Sequence, residues 1–192
     1  FCFARSLHTA MKHVAAVRQQ LGVRTIFNLL GPLSNPAGAS HQLLGVGRPE
    51  LRPLLAEALS QLGVDRAWVV CGSDGLGEMT LAAPSLVTEV AEGQLTDREF
   101  TPADFGLATC SLDTLIVADA QQSADKIREV FAGRPGPARD IVVLNAAAGL
   151  MLLGVADDPQ AAARQAAEAI DSSAAATLLQ RLADTSHAPL PT

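Results

Sequence analysis

Two carboxylates sit in the glycine-rich run Gly72-Ser73-Asp74-Gly75-Leu76-Gly77-Glu78, directly after the apolar stretch Ala67-Trp68-Val69-Val70-Cys71. Hard cations such as Mg²⁺ take oxygen ligands and commonly bridge one or two protein carboxylates to substrate phosphates. The run therefore carries either a metal-phosphate site or an ordinary turn. Its glycines alone make a weak phosphate cradle, because neither the dinucleotide fingerprint nor a Walker-type Lys follows them. A second group, His8, Lys12, His13 and Arg18, places cationic and polar side chains on or beside one amphipathic helix. A guanidinium stays charged and grips a carboxylate through two parallel hydrogen bonds, so Arg18 suits an acidic ligand. On these residues alone a solvated helix face is the better account. The third group, Gly31-Pro32-Leu33-Ser34-Asn35-Pro36, offers apolar ring surface on a stiff loop, since each proline fixes its φ. It reads equally as a wall for an aromatic ligand or as a structural turn.

The sequence contains no H-E-x-x-H and no G-x-S-x-G, and its four histidines are His8, His13, His41 and His187. Neither a nucleophilic triad nor a structural zinc site has support. Any catalysis must then come from positioning and electrostatics.

The elements that would position these groups follow from periodicity. Met11, Val14, Val17 and Leu21 recur at helical steps, and Gly22 closes that helix. Arg24 to Leu30 has room for one further helical turn before the proline loop. Leu43 to Val46, Pro49 to Leu62 and Ala67 to Gly72 read as strand, helix and strand. Short connections and near-continuous apolar strands predict a parallel unit buried on both faces. Ligands gather at the carboxyl ends of such strands, where the loop from Gly72 begins. Ser85 to Val90 and Gln94 to Phe100, joined through Ala91-Glu92-Gly93, predict an antiparallel hairpin. Helical patterns follow near Ser111 to Val117, Gln121 to Phe131, Arg139 to Leu153, Asp158 to Ile170 and Ser173 to Leu182, with Ser111 and Asp158 as N-caps. The small-residue run Asn145-Ala146-Ala147-Ala148-Gly149-Leu150 reads as plain core. The expected architecture is α/β: a mostly parallel central sheet with an antiparallel hairpin, flanked by helices, in one domain over residues 1–185 with a tail at 186–192.

The 192 residues are 48% apolar with a net charge of −6, enough for one sizeable core and too little charge for a disordered segment. The scattered Lys and Arg form no stripe that would neutralise a phosphate backbone, so nucleic acid is not expected as a partner. Cys2, Cys71 and Cys110 fit neither a disulfide framework nor a zinc spacing and read as free thiols. No segment reaches the roughly eighteen apolar residues of a membrane helix, so no membrane is expected and the cytoplasm is. The apolar opening Phe1-Cys2-Phe3-Ala4 reads as an interior strand or turn whose upstream sequence is absent.

The run from His8 to Val14 and Arg18, and the highly specific run Arg24-Thr25-Ile26-Phe27-Asn28-Leu29-Leu30-Gly31-Pro32-Leu33-Ser34-Asn35-Pro36, closely resemble anthranilate phosphoribosyltransferases. The similarity continues through Asp74 to Glu78, Asp104 to Leu107, Asp140 to Ala148 and Ala169 to Ser172, nearly the whole chain. The resemblance implies the nucleoside phosphorylase/phosphoribosyltransferase-like fold and a step of tryptophan biosynthesis: transfer of phosphoribosyl from phosphoribosyl pyrophosphate to the amine of anthranilate, with Mg²⁺ offsetting charge on the departing pyrophosphate. It implies that Arg18 lies against the anthranilate carboxylate and that His8 and Pro32 line the acceptor's path. It assigns the metal to Glu78. The family has an adjacent Asp-Glu pair where this chain has Gly77-Glu78, so Asp74, water or a weakly held second metal must make up the difference. Thr9 stands where the family commonly has Pro.

The family's donor-holding Gly-Thr-Gly-Gly-Asp and Lys-His-Gly-Asn segments precede the matched part and do not occur here. The resemblance thus implies that this chain alone lacks turnover, and that the family's homodimer contact, made by an upstream helical domain, belongs to the intact enzyme. Two other readings share the fold: a pyrimidine nucleoside phosphorylase-like enzyme, and a non-catalytic relative binding single-stranded nucleic acid. The latter needs a positive groove and stacking aromatics, which a net −6 chain without Tyr does not offer.

Overall fold

A computed structural model describes residues 20, 22–23, 26–35 and 37–187. The first described helix, α1 (Phe27–Leu33), precedes strand β1 (His41–Gly45), helix α2 (Leu51–Gln61) and strand β2 (Arg66–Gly72). β1 and β2 pair in parallel, His41 opposite Arg66 through Gly45 opposite Val70. The strand-helix-strand unit read from the apolar runs is therefore present.

Strands β3 (Ser85–Ala91) and β4 (Gln94–Phe100) complete a sheet of order β1-β2-β3-β4, both joined antiparallel. Their connection is tighter than expected: Ala91 belongs to β3, and only Glu92 and Gly93 turn the chain, at φ 51° and 75°. Two successive positive φ values match the twist of a two-residue hairpin, and glycine adopts them without steric cost.

β2 shows why its sequence does not alternate. Trp68 and Val70 face one apolar cluster with Val87, Leu144 and Ile170, while Ala67, Val69 and Cys71 face another with Leu55, Ala56 and Leu59 of α2. A strand covered on both faces has no polar side to show. Each large side chain so enclosed contributes about 1.5–3 kcal/mol relative to exposure. Trp68 also stacks on Phe100 at 5.5 Å, and Phe100 meets Phe105 edge-on at 5.7 Å.

The remaining helices are α3 (Ala120–Phe131), α4 (Pro137–Leu152), α5 (Pro159–Asp171) and α6 (Ala174–His187). α4 and α5 cover one sheet face through Val143, Leu144, Ala147, Ala148, Ala162 and Ile170. Asp158 caps α5, its Oδ1 accepting the Ala161 N–H at 2.7 Å, and Asp119 caps α3 in the same way, accepting from Gln122 at 2.8 Å. These caps satisfy amides that a helix start leaves without partners.

Three local expectations change. The helix expected from Ser111 to Val117 is only a 3₁₀ turn, Leu112–Leu115, because Ile116 is already extended at ψ 134°. Pro32 lies inside α1 instead of in a loop; it lacks only the N–H that would donate one turn back, and the Ser34 N–H and hydroxyl both donate to the Leu30 carbonyl, at 3.0 and 2.8 Å, where α1 ends. α6 runs through His187, into the segment expected as tail. Among the described residues no helix is long and apolar enough to cross a membrane, and Cys71 and Cys110 are free thiols.

Candidate functional site

The loop leaving the carboxyl end of β2 is organised by its own polar groups. Asp74 Oδ1 accepts the Leu76 N–H at 3.0 Å and Oδ2 accepts the Thr80 hydroxyl at 2.6 Å. The Gly72 N–H donates to the Leu76 carbonyl at 2.8 Å, and the Thr80 N–H donates to Ser85 Oγ at 2.9 Å. Each oxygen of Asp74 thus takes part in shaping the turn. A Cβ on Gly72 would fall 2.3 Å from Asp74 Oδ1, so this glycine is what lets the carboxylate fold back over the strand end.

Glu78 is treated differently. No hydrogen bond or ion pair engages its carboxylate among the described residues, and partial desolvation raises its pKa above the ordinary range although the residue is exposed overall. A carboxylate that no described residue engages, in the loop after a strand's carboxyl end, can take an external partner. Next to it opens a cavity of about 580 Å³, lined chiefly by apolar side chains, among them Leu76, Leu115, Ile116, Ile127 and Ile141. Lys126 also reaches the cavity wall but is paired with Glu129 at 2.9 Å.

The backbone around Glu78 is held from two sides. Beneath it, Gly45 at the end of β1 lies so close that a Cβ there would sit 1.7 Å from the Gly77 carbonyl oxygen. Above it, Asn145 of α4 accepts the Met79 N–H at 3.0 Å and donates to the Met79 carbonyl at 3.0 Å. Asn145 is thus not part of a plain core, contrary to the reading of its small-residue run. The signal that sets it apart is its amide in an otherwise apolar helical face.

A family model described as glycosyl transferase family, a/b domain, matches residues 1–176. The chain belongs to this family. A relative, the anthranilate phosphoribosyltransferase of Laribacter hongkongensis, is 48% identical over 187 residues, which is 97% of this chain and 55% of the relative. The solved anthranilate phosphoribosyltransferase of Thermus thermophilus superposes with a TM-score of 0.85 at 42% identity, covering 94% of this chain and 54% of that one. That of Saccharomyces cerevisiae in complex with PRPP and Mg has a TM-score of 0.82 at 28% identity, covering 90% of this chain and 50% of that one. The chain spans about half the length of the relatives it matches.

Of the residues singled out from the sequence, Glu78, Gly77 and Asp74 share one loop, and Pro32 sits on α1. The α1 side chains Leu29 and Leu33 pack on the α2 face of the sheet, and Pro32 does not line the cavity beside Glu78. His8 and Arg18 lie outside the described residues.

A second polar cluster lies at the opposite end of the strands. Glu89, almost wholly buried, receives Arg66 at 2.7 Å, the Trp68 indole N–H at 3.1 Å and Arg98 at 2.6 Å. Desolvation pushes its pKa up, but the hydrogen bonds from Arg66, Trp68 and Arg98 outweigh it and leave the carboxyl below its usual range. Sequence reading missed this group because its members come from three different strands.

Proposed function

We propose that the chain is the acceptor- and metal-binding half of an anthranilate phosphoribosyltransferase. The observation carrying this reading is Glu78, in the loop that follows β2, whose carboxylate no other described residue engages, in a chain 48% identical over 187 residues to an enzyme of that name. In the reaction the anthranilate nitrogen forms a bond to the anomeric carbon of phosphoribosyl pyrophosphate, the bond to pyrophosphate breaks, and the amine loses a proton. Pyrophosphate leaves with the electron pair.

The donor set fits a magnesium ion shared with substrate. Glu78 offers one free carboxylate, and no cluster of three His, Cys, Asp or Glu side chains exists among the described residues. Mg²⁺ commonly keeps several waters and binds through one or two carboxylates plus phosphate oxygens. When bound it would offset charge on the leaving pyrophosphate. Gly77 contributes no side chain and Asp74 is already engaged in its turn, so within this loop Glu78 is the carboxylate that would hold the ion. By the family resemblance, Arg18 grips the anthranilate carboxylate while His8 and Pro32 line the acceptor's path. The aromatic acid is thereby oriented with its amine toward the sugar, the positioning effect expected where no nucleophilic side chain is available.

The test is turnover by the complete enzyme carrying this chain, supplied with anthranilate, phosphoribosyl pyrophosphate and Mg²⁺. One pyrophosphate should be released per anthranilate consumed, with release abolished by chelation. Phosphorolysis of thymidine in place of that reaction would reject the proposal in favour of a nucleoside phosphorylase. The expectations of a homodimer and a cytoplasmic location attach to that complete enzyme; sedimentation and fractionation test them.

A further inference from the structure

We propose that Asn145 is a positioning residue for Glu78, setting the place of the metal-bearing carboxylate from the opposite side of the loop; this rests on the functional reading just given. Asn145 makes with Met79 the pair of hydrogen bonds that a neighbouring strand would make, one accepted from the N–H and one donated to the carbonyl, each 3.0 Å. Its Nδ2 also donates to the Ile141 carbonyl one helical turn earlier, at 3.1 Å, which fixes the amide's orientation. A side-chain amide carries its donor and acceptor on two separate atoms, matching one peptide N–H and one carbonyl: Asp lacks the donor and Gln is one methylene longer.

Met79 is fully buried, so the peptide that follows Glu78 cannot relax toward solvent. The peptide that precedes it is pressed against Gly45. Glu78 is therefore clamped at both neighbours while its own carboxylate remains unengaged among the described residues. A fixed backbone sets the point from which a side-chain ligand reaches out, and groups that orient ligands affect metal affinity. The same stretch of α4 places Ile141 and Val142 in the cavity wall, so the helix that shapes the cavity also places the carboxylate beside it.

The experiment compares wild type, N145A and N145D in the complete enzyme, each also in an E78Q background. Cation binding is read as free Mn²⁺ by electron paramagnetic resonance with inorganic pyrophosphate present, and the loop is read as hydrogen exchange at the Met79 amide. Both Asn145 variants should weaken Mn²⁺ binding by about 10–100-fold, the range for residues that orient metal ligands. The weakening should vanish in the E78Q background, where there is no carboxylate left to position. N145D keeps the acceptor and the volume, so it serves if N145A fails to fold. Faster Met79 exchange with Mn²⁺ affinity unchanged, or the same weakening with and without Glu78, would overturn the positioning role and leave Asn145 a structural clamp. Wild type whose Mn²⁺ binding requires Glu78 and is weakened by the Asn145 variants, yet makes no phosphoribosylanthranilate, would reject the functional reading and uphold the positioning role.

Discussion

Replacing Gly45 with Ala should damage this protein far more than a single methyl normally does. The new Cβ would fall 1.7 Å from the Gly77 carbonyl oxygen and 2.7 Å from its carbon. A carbon and a carbonyl oxygen approach to about 3.3 Å at best, so the two backbones must part by about 1.6 Å. β1 cannot supply that movement cheaply, because five of its residues are in register with β2 and Val46 continues the pairing by donating to the Val70 carbonyl at 2.9 Å. The loop must move, against the grip of Asn145 on Met79. Forced overpacking of this kind costs about 1–3 kcal/mol, which for a chain of this size lowers the melting temperature by about 2–12 °C. Gly77→Ala is the internal control: its Cβ would meet nothing nearer than 3.5 Å and its φ is not positive. Thermal melts followed by circular dichroism, with Met79 exchange as the local probe, separate the two. Equal melting temperatures for G45A and G77A would show that the close approach of β1 to the loop does not exist.

Other consequences are as direct. Glu89→Gln leaves Arg66 and Arg98 without their buried counter-charge and should cost about 1–3 kcal/mol, less than a fully buried pair because both arginines are partly exposed; denaturant titration measures it. Because the folded-state pKa of Glu89 is depressed, its contribution is present above the unfolded value of about 4.3 and lost as pH falls through the folded one. Wild type and E89Q should therefore converge in stability as pH falls below the unfolded value and through the lower folded one, and a gap that stays constant down to acid pH would contradict the assignment. Gly77→Asp places its Cβ no nearer than 3.5 Å to any neighbour and adds a second carboxylate beside Glu78, so the magnesium midpoint of turnover should fall by about tenfold; an unmoved midpoint would mean that water already makes up the difference. Arg18→Ala in the complete enzyme should raise the anthranilate KM by about 10–100-fold, the worth of a charged hydrogen-bonded grip; a KM within error of wild type would remove Arg18 from the acceptor site.

Much of this was legible before any coordinates. The βαβ unit announced itself because β2 is apolar throughout, as a strand covered on both faces must be. The hairpin was marked by Gly93, and Asp158 by its place before a helical stripe. Glu78 was picked out by residue type and by its place after a buried strand. Local signals failed where two influences competed: Pro32 marks a loop by its missing N–H, yet its fixed φ is compatible with the last turn of a short helix.

The amino-acid order by itself determined which segments become strands and helices, and which carboxylates follow a strand end, because these depend on periodicity and on neighbours a few residues apart. Only the tertiary structure decided which carboxylate is free. Asp74 and Glu78 look alike in the sequence, but one folds onto Thr80 while the other meets no partner among the described residues. The contacts that hold the backbone around Glu78, Asn145 to Met79 across 66 residues and Gly45 to Gly77, join parts of the chain whose separation no local pattern encodes. They arise from packing α4 and β1 against the same loop, and packing of distant elements is a property of the folded body alone.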